Sequence, residues 1–161
     1  KIPFISGTTG LSDKNLKGLS AAKKIIPILI ASNMSFGMAN LKSAIEKYLI
    51  TINTPVKCKV VEIHHTKKKD SPSGTALEIV KFLENYHANK IDGLIDVESH
   101  RIGNTFGIHR VEFKSEEGIT NFQHIANSRD VFAKGALQAA RSINSMEIGE
   151  YSFADFLDKK L

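Results

Sequence analysis

Between Ile2 and Tyr86 the same change of pattern occurs three times: a short apolar run ends in small polar residues, and helical spacing follows. Residues 2–6 stop at "GTTG" and lead, through Ser12 as a helix cap, into a weakly amphipathic segment reaching Lys24. "IIPILIAS" stops at "NMSFG", after which Phe36, Leu41, Ala44, Ile45, Tyr48 and Leu49 fall at helical intervals. Residues 56–63 alternate as a strand, and a helix is expected over about residues 73–86. Strands repeat every two residues and helices every 3.6, so this recurrent switch of period restricts the chain to an α/β architecture. Pro27 has no N–H to give to a ladder and must sit at the start or the edge of its strand.

Residues 92–127 are turn-rich, with strands expected in "GIHRVEF" and "ITNFQHIA", antiparallel about the turn "SEEG" and forming part of a second sheet. A helix is expected over residues 130–143, with Val131, Phe132, Leu137 and Ala140 near one face and Asp130 complementing the dipole. "SFADFLDKK" reads as a short terminal helix capped by Ser152.

With 42% hydrophobic residues in 161, the chain can bury a real core, and a disordered chain is not expected. The single cysteine, Cys58, rules out an internal disulfide and reads as a small buried hydrophobe. No apolar run approaches the roughly 18 residues that cross a bilayer, and "KIPFISGTTG" lacks a secretory apolar core, so no membrane partner and a cytoplasmic location are expected. The 22 Lys and Arg residues are dispersed among 17 acidic ones, with no aromatic-interleaved platform, so nucleic acid is not an expected partner. An anionic small molecule suits the net charge of +5.

The densest polar stretch is "EIHHTKKKDSPSGTAL", residues 62–77. In an extended strand Val60, Glu62 and His64 share one side while Val61, Ile63 and His65 share the other. Adjacent histidines therefore diverge, and no further Cys/His cluster completes a zinc set, so no metal is expected. Lys67, Lys68 and Lys69 alone would be a solvated charge run. Behind them, however, Ser73 caps a helix whose first turn holds Gly74 and Thr75, and unpaired N–H groups at such a start attract anions. Hydroxyls on both sides of a glycine exceed what a cap requires and indicate a carboxylate or phosphate ligand. A histidine that can change charge, a lysine donor and an anion cradle are parts for proton transfer to an acidic substrate. Upstream, Gly7, Thr8 and Thr9 follow one strand and residues 31–34 another, where doubly wound folds expose loop backbone to nucleotides. Either loop could equally be a plain turn.

"HHTKKKDSPSGTA" resembles the signature of the dihydrodipicolinate reductase family: His-His, two variable residues, Lys, one variable, Asp, one variable, Pro-Ser-Gly-Thr-Ala. The resemblance extends to "GTTG", to "NMSFG", to Arg101, Gly103, Gly107, His109, Val111 and Phe113 in "RIGNTFGIHRVEF", and to "HIANSRDVFAKGALQAA", and so covers nearly the whole chain. It implies an oxidoreductase of the diaminopimelate route to lysine, with a Rossmann-type dinucleotide-binding domain and an inserted α+β domain that binds substrate and builds a homotetramer. On this resemblance residues 1–35 and 129–161 belong to the dinucleotide-binding domain and residues 36–128 to the insertion.

The same resemblance implies His64 as general acid/base, Lys68 as proton donor, and His65, Ser73, Gly74 and Thr75 as substrate contacts. Gly7, Thr8, Thr9, Ala31, Ser32, Asn33 and Met34 would face NADH or NADPH. Lys68 is the lysine at the motif position; spacing alone does not separate it from Lys67 and Lys69. The implied reaction is hydride transfer to an unsaturated six-membered ring carrying two carboxylates, a dihydrodipicolinate-type substrate, completed by protonation. Ser32 and Met34 depart from the family, whose members often carry proline or alanine and an aromatic residue there. The family's Gly-rich pyrophosphate loop is expected ahead of Lys1, so these residues alone are expected to bind NAD(P)H poorly. The competing reading is a non-catalytic anion-binding or assembly module whose Ser-Gly-Thr helix start only holds a carboxylate.

Overall fold

The computed structural model describes residues 1–8 and 11–156. In chain order the elements are β1 (Phe4–Ser6), α1 (Asp13–Ala22), β2 (Pro27–Ile30), α2 (Phe36–Thr51), β3 (Lys57–His64), α3 (Gly74–His87), β4 (Asp96–Arg101), β5 (Ile108–Ser115), β6 (Gly118–Ile125), α4 (Asp130–Ser142) and β7 (Gly149–Tyr151). The chain divides into two units, one of Lys1–Ala39 with Asp130–Leu161 and one of Asn40–Arg129. Both are mixed α/β, as the alternating periodicity requires.

The first unit holds a parallel sheet in the order β1-β2-β7, with Ile5 beside Leu29 and Leu29 beside Tyr151. Pro27 is the first residue of β2, where a missing donor is tolerated. Ser12 caps α1 by accepting the N–H of Asn15 at 3.3 Å. Leu29, Ala31, Met34, Ala139, Ile143, Phe153 and Phe156 form the core. The expected terminal helix is, over its described part, a 3₁₀ turn at Phe153–Phe156 with the Asp155 carboxylate bonded to Ser152; residues 157–161 lie outside the described residues. Three-residue spacing eclipses side chains in a 3₁₀ turn, and Phe153 and Phe156 accordingly stack at 6.5 Å.

The buried face of α4 is the expected one only in part, with Val131 and Phe132 half-buried. Leu137 is 61% exposed and Ala140 is exposed, while Gly135 and Ala139 are buried. Size decides this face: a Cβ on Gly135 would stand 1.7 Å from the carbonyl oxygen of Met34, so α4 lies against the loop after β2 with no room for a side chain.

The second unit holds a four-stranded sheet in the order β4-β3-β5-β6, with β3 parallel to β4 and antiparallel to β5. A β3–α3–β4 crossover joins the parallel pair, and β5 and β6 form the expected hairpin about residues 115–118. Val60, Val111 and Phe113 are buried, as are Ile45, Leu49, Ile79 and Leu83 of the helices, and the Tyr48 ring of α2 lies 5.3 Å from that of Phe113. Cys58 is buried as well, and burial pushes its thiol up to about 12, the behaviour of an inert hydrophobe.

Candidate active site

The register of β3 assembles the site. Glu62 stands opposite Ser99 on β4 and His109 on β5, and His64 stands opposite Arg101. Directly opposed residues share a face, so an acid, two imidazoles and a guanidinium are brought to one side of the sheet near the C-terminal end of β3. Glu62 is 0% exposed, His109 2% and His64 8%.

A carboxylate this deep needs compensation on both oxygens. Arg101 Nη2 lies 2.9 Å from Glu62 Oε1, and the Ser73 N–H donates to the same oxygen at 3.2 Å. Oε2 is hydrogen bonded to His64 Nδ1. Burial opposes ionisation of Glu62, but the bonds from Arg101 and His64 help to outweigh it and hold its carboxyl below the usual range.

Burial pushes His64 down; Glu62 opposes the shift, and the positive charges of Lys68 and Arg101 reinforce it. His109, whose ring lies edge-on to His64 at 5.1 Å, is pushed down to about 3, by burial first and then by His64. Both imidazoles are therefore neutral near physiological pH.

The loop after β3 is pinned at its root by the Ile102 N–H to the His64 carbonyl at 2.8 Å and the Thr66 N–H to the Gly103 carbonyl at 3.1 Å. Further along, Lys68 Nζ pairs with Asp70 Oδ1 at 2.8 Å, an interaction that holds Asp70 below its ordinary range. Arg101 also donates to the Asp70 carbonyl. Ser73 then caps α3: its Oγ accepts the Ala76 N–H at 3.2 Å and lies 3.3 Å from His109 Nε2.

His64, Lys68, Ser73, Gly74 and Thr75 thus gather at one end of β3. The three lysines are not equivalent, since Lys68 is partly buried while Lys67 and Lys69 are exposed. His65 follows the strand, half-buried, its carbonyl accepting the Lys68 N–H at 3.1 Å. Ser73 is 1% exposed, with its hydroxyl and N–H both engaged inward, whereas Gly74 is half-buried.

In the first unit the two strand-end loops are neighbours. The Ala31 N–H donates to the Ser6 carbonyl at 3.1 Å, the Thr8 N–H to Ser6 Oγ at 3.2 Å, and a Cβ on Gly7 would meet Met34 Cε at 3.7 Å. Asn33 Oδ1 accepts the Ser35 N–H at 2.9 Å, while Ala31 and Met34 are buried and Ser32 and Asn33 half-buried. Thr9 lies outside the described residues.

Glu62, His64 and His109 offer metal-ligand atoms within 4.8 Å of one another. A cation there would share the carboxylate with Arg101 and suffer its repulsion, so the geometry reads as a hydrogen-bonded network. Reading the sequence assigned no role to Glu62, Arg101 or His109. The signal for Glu62 was present, since strand alternation puts it beside His64. Arg101 and His109 carry part of the family resemblance, but their place beside Glu62 and His64 follows only from strand register.

The network fixes the sign of the pH dependence. Glu62, His64 and His109 all titrate lower in the folded chain than unfolded, so the unfolded chain binds more protons and acid destabilises. The stabilisation is fully present above the ordinary histidine value of 6.5 and is lost as pH falls toward the folded values; for His109, shifted to about 3, this amounts to roughly 4 kcal/mol by pH 3. Urea midpoints measured from about pH 7 down to about pH 4 are expected to fall steadily, and His109→Gln to flatten that fall. A pH-independent midpoint would contradict the arrangement.

A family model described as dihydrodipicolinate reductase, C-terminus, matches residues 37–157. The chain is 38% identical over 157 residues to a 4-hydroxy-tetrahydrodipicolinate reductase of Bdellovibrio bacteriovorus, spanning 98% of this chain and 66% of that protein. A protein of the same name from Alkaliphilus metalliredigens is 35% identical over 169 residues, spanning 97% and 70%. A dipicolinate-bound dihydrodipicolinate reductase from Paenisporosarcina sp. TG-14 matches with a TM-score of 0.69, over 93% of this chain and 62% of that one, at 19% identity, a likeness of fold alone. The chain spans about two thirds of the length of these relatives. The family model runs through β3, the capped start of α3 and the strands that complete the buried network, and with the identities over nearly the whole chain it shows that this chain belongs to the dihydrodipicolinate reductase family.

Proposed function

We propose that this chain carries the substrate-binding and proton-handling parts of an NAD(P)H-dependent reductase acting on a dihydrodipicolinate-type cyclic dicarboxylate, in the diaminopimelate route to lysine. The observation that carries this reading is the meeting of an anion-receptive helix start with one partly buried lysine and a neutral imidazole at the end of β3. Gly74 and Thr75 open α3, and the dipole at this end of the helix favours a substrate carboxylate. Ser73 fixes that opening from inside, and His65 contributes a further contact.

Charge that develops on the ring during reduction is met by the Lys68 ammonium, with Asp70 holding the side chain in place. His64, neutral and buried at its Nδ1 side, acts as acid/base through its other nitrogen. Gly7 and Thr8, and residues 31–34, follow strands β1 and β2 of a parallel sheet, the position at which such sheets receive a dinucleotide, and this reading assigns NADH or NADPH to them, with Thr9 as a further contact by resemblance. When bound, the nicotinamide supplies the hydride.

In this reading residues 1–35 and 129–161 serve the cofactor, and residues 36–128 serve substrate and assembly. Strand β6, paired on one side among the described residues and with Ile119 59% and Ile125 50% exposed, suits a homotetramer interface. No helix among the described residues is long and apolar enough to cross a membrane; the reading places the protein in the cytoplasm with a small-molecule partner. The full-length protein is expected to oxidise NADH or NADPH only when the cyclic dicarboxylate is supplied. Tight binding of pyridine-2,6-dicarboxylate with no oxidation of either cofactor would instead favour the anion-binding module.

A further inference from the structure

We infer that Glu62 is a positioning residue that locks His64 in the Nδ1–H tautomer, so that Nε2 is the working nitrogen, and that Gly107 keeps this nitrogen uncovered. The inference rests on the reductase reading and specifies how its acid/base is set.

An ionised carboxylate can only accept hydrogen bonds. The proton between Glu62 Oε2 and His64 Nδ1 therefore belongs to the imidazole, and the lone pair of the neutral ring lies on Nε2. Glu62 is kept ionised and immobile by groups that do not touch His64's reacting side: the Arg101 guanidinium at 2.9 Å and the Ser73 N–H at 3.2 Å, both on Oε1. The backbone of His64 is anchored independently by its carbonyl bond to the Ile102 N–H. Ring orientation and tautomer thus both follow from one buried acid.

The opposite edge of the ring faces Gly107, at φ +154°. A Cβ there would lie 3.1 Å from His64 Nε2, 3.5 Å from Cδ2 and 3.7 Å from His109 Cε1. Any side chain at this position would stand over the nitrogen that must exchange a proton; glycine leaves the space for the substrate or a water. Because Oε1 also holds the N–H of Ser73, the same carboxylate fixes the cap of α3. Acid/base and anion cradle are therefore set by one residue, which a simple buried ion pair with Arg101 would not require.

The test uses the full-length protein labelled with ¹⁵N, with long-range proton–nitrogen correlations of His64 assigned by their loss in His64→Gln. Near pH 7 wild-type His64 is expected to show a protonated Nδ1 and a bare Nε2. In Glu62→Gln the carboxamide can donate as well as accept, so the Nε2–H form should gain population, and kcat should fall about 10- to 10⁴-fold, the range for carboxylate-held histidines, with KM for the dicarboxylate nearly unchanged. Gly107→Ala should retain the wild-type tautomer and still lose turnover. An Nε2–H tautomer in the wild type, or an unchanged tautomer and kcat in Glu62→Gln, overturns the inference; should Glu62→Gln not fold, the wild-type spectrum and Gly107→Ala decide it. If the tautomer is as stated but the protein reduces no cyclic dicarboxylate, the reductase reading fails while the positioning of His64 stands.

Discussion

Replacing Lys68 by alanine in the full-length protein is expected to lower turnover about 10²–10⁴-fold, the usual worth of a positioned proton donor. Lys67→Ala and Lys69→Ala are expected to change it by no more than about twofold, an exposed charge being screened by solvent. The three side chains have the same chemistry and adjoin one another in sequence, so the contrast isolates position. Lys68 is partly buried, held at 2.8 Å by Asp70, and close enough to His64 to depress its basicity, whereas its neighbours are exposed. Arginine at position 68 would keep the charge but is too weak an acid to release a proton, so Lys68→Arg should remain slow. Steady-state kinetics on the four variants is the measurement, and equal losses at positions 67, 68 and 69 would remove Lys68 from its role.

The second large effect is structural. Gly135→Ala is expected to destabilise the first unit by more than the roughly 1–3 kcal/mol usual for overpacking. The new methyl would stand 1.7 Å from the Met34 carbonyl oxygen, 2.9 Å from the Met34 carbonyl carbon and 2.9 Å from Phe153 Cζ. Two of these atoms are backbone and cannot turn aside, so α4 and the loop after β2 must separate, exposing core around Ala139 and Phe153. That loop contains the proposed cofactor contacts, so NAD(P)H affinity should fall with the unfolding midpoint. Gly18→Ala in α1 is the control: nothing lies within 4 Å of its Cβ position, and a helical Gly-to-Ala change there should stabilise by roughly 0.5–1 kcal/mol. Similar midpoints for the two variants would mean that α4 does not approach the loop.

What could be read from the sequence was local. Caps at Ser12 and Ser73, the position of Pro27 and the hairpin at residues 115–118 each follow from one residue's own chemistry, and all are present. The α/β class followed from periodicity. Strand β4 escaped because "DVESHR" has a single strongly apolar residue and no alternation; its pairing with β3 makes it a strand. Leu137 and Ala140 of α4 face outward because closeness of approach, not hydrophobicity alone, decides that face. The closeness of His64, Lys68 and the start of α3 was legible because they lie within one short motif. The role of Arg101 was not, because it reaches Glu62 across a crossover that only strand register specifies.

Among the described residues strand β4 ends the sheet, with β3 as its one neighbour, and Arg101 is its last residue. The guanidinium grips both Glu62 and the Asp70 carbonyl, so peeling this outermost ribbon away would strip the countercharge from the acid under His64 and slacken the lysine loop in a single movement. The proposed acid/base end of the sheet is therefore latched from its rim, and it comes together, or comes apart, all at once.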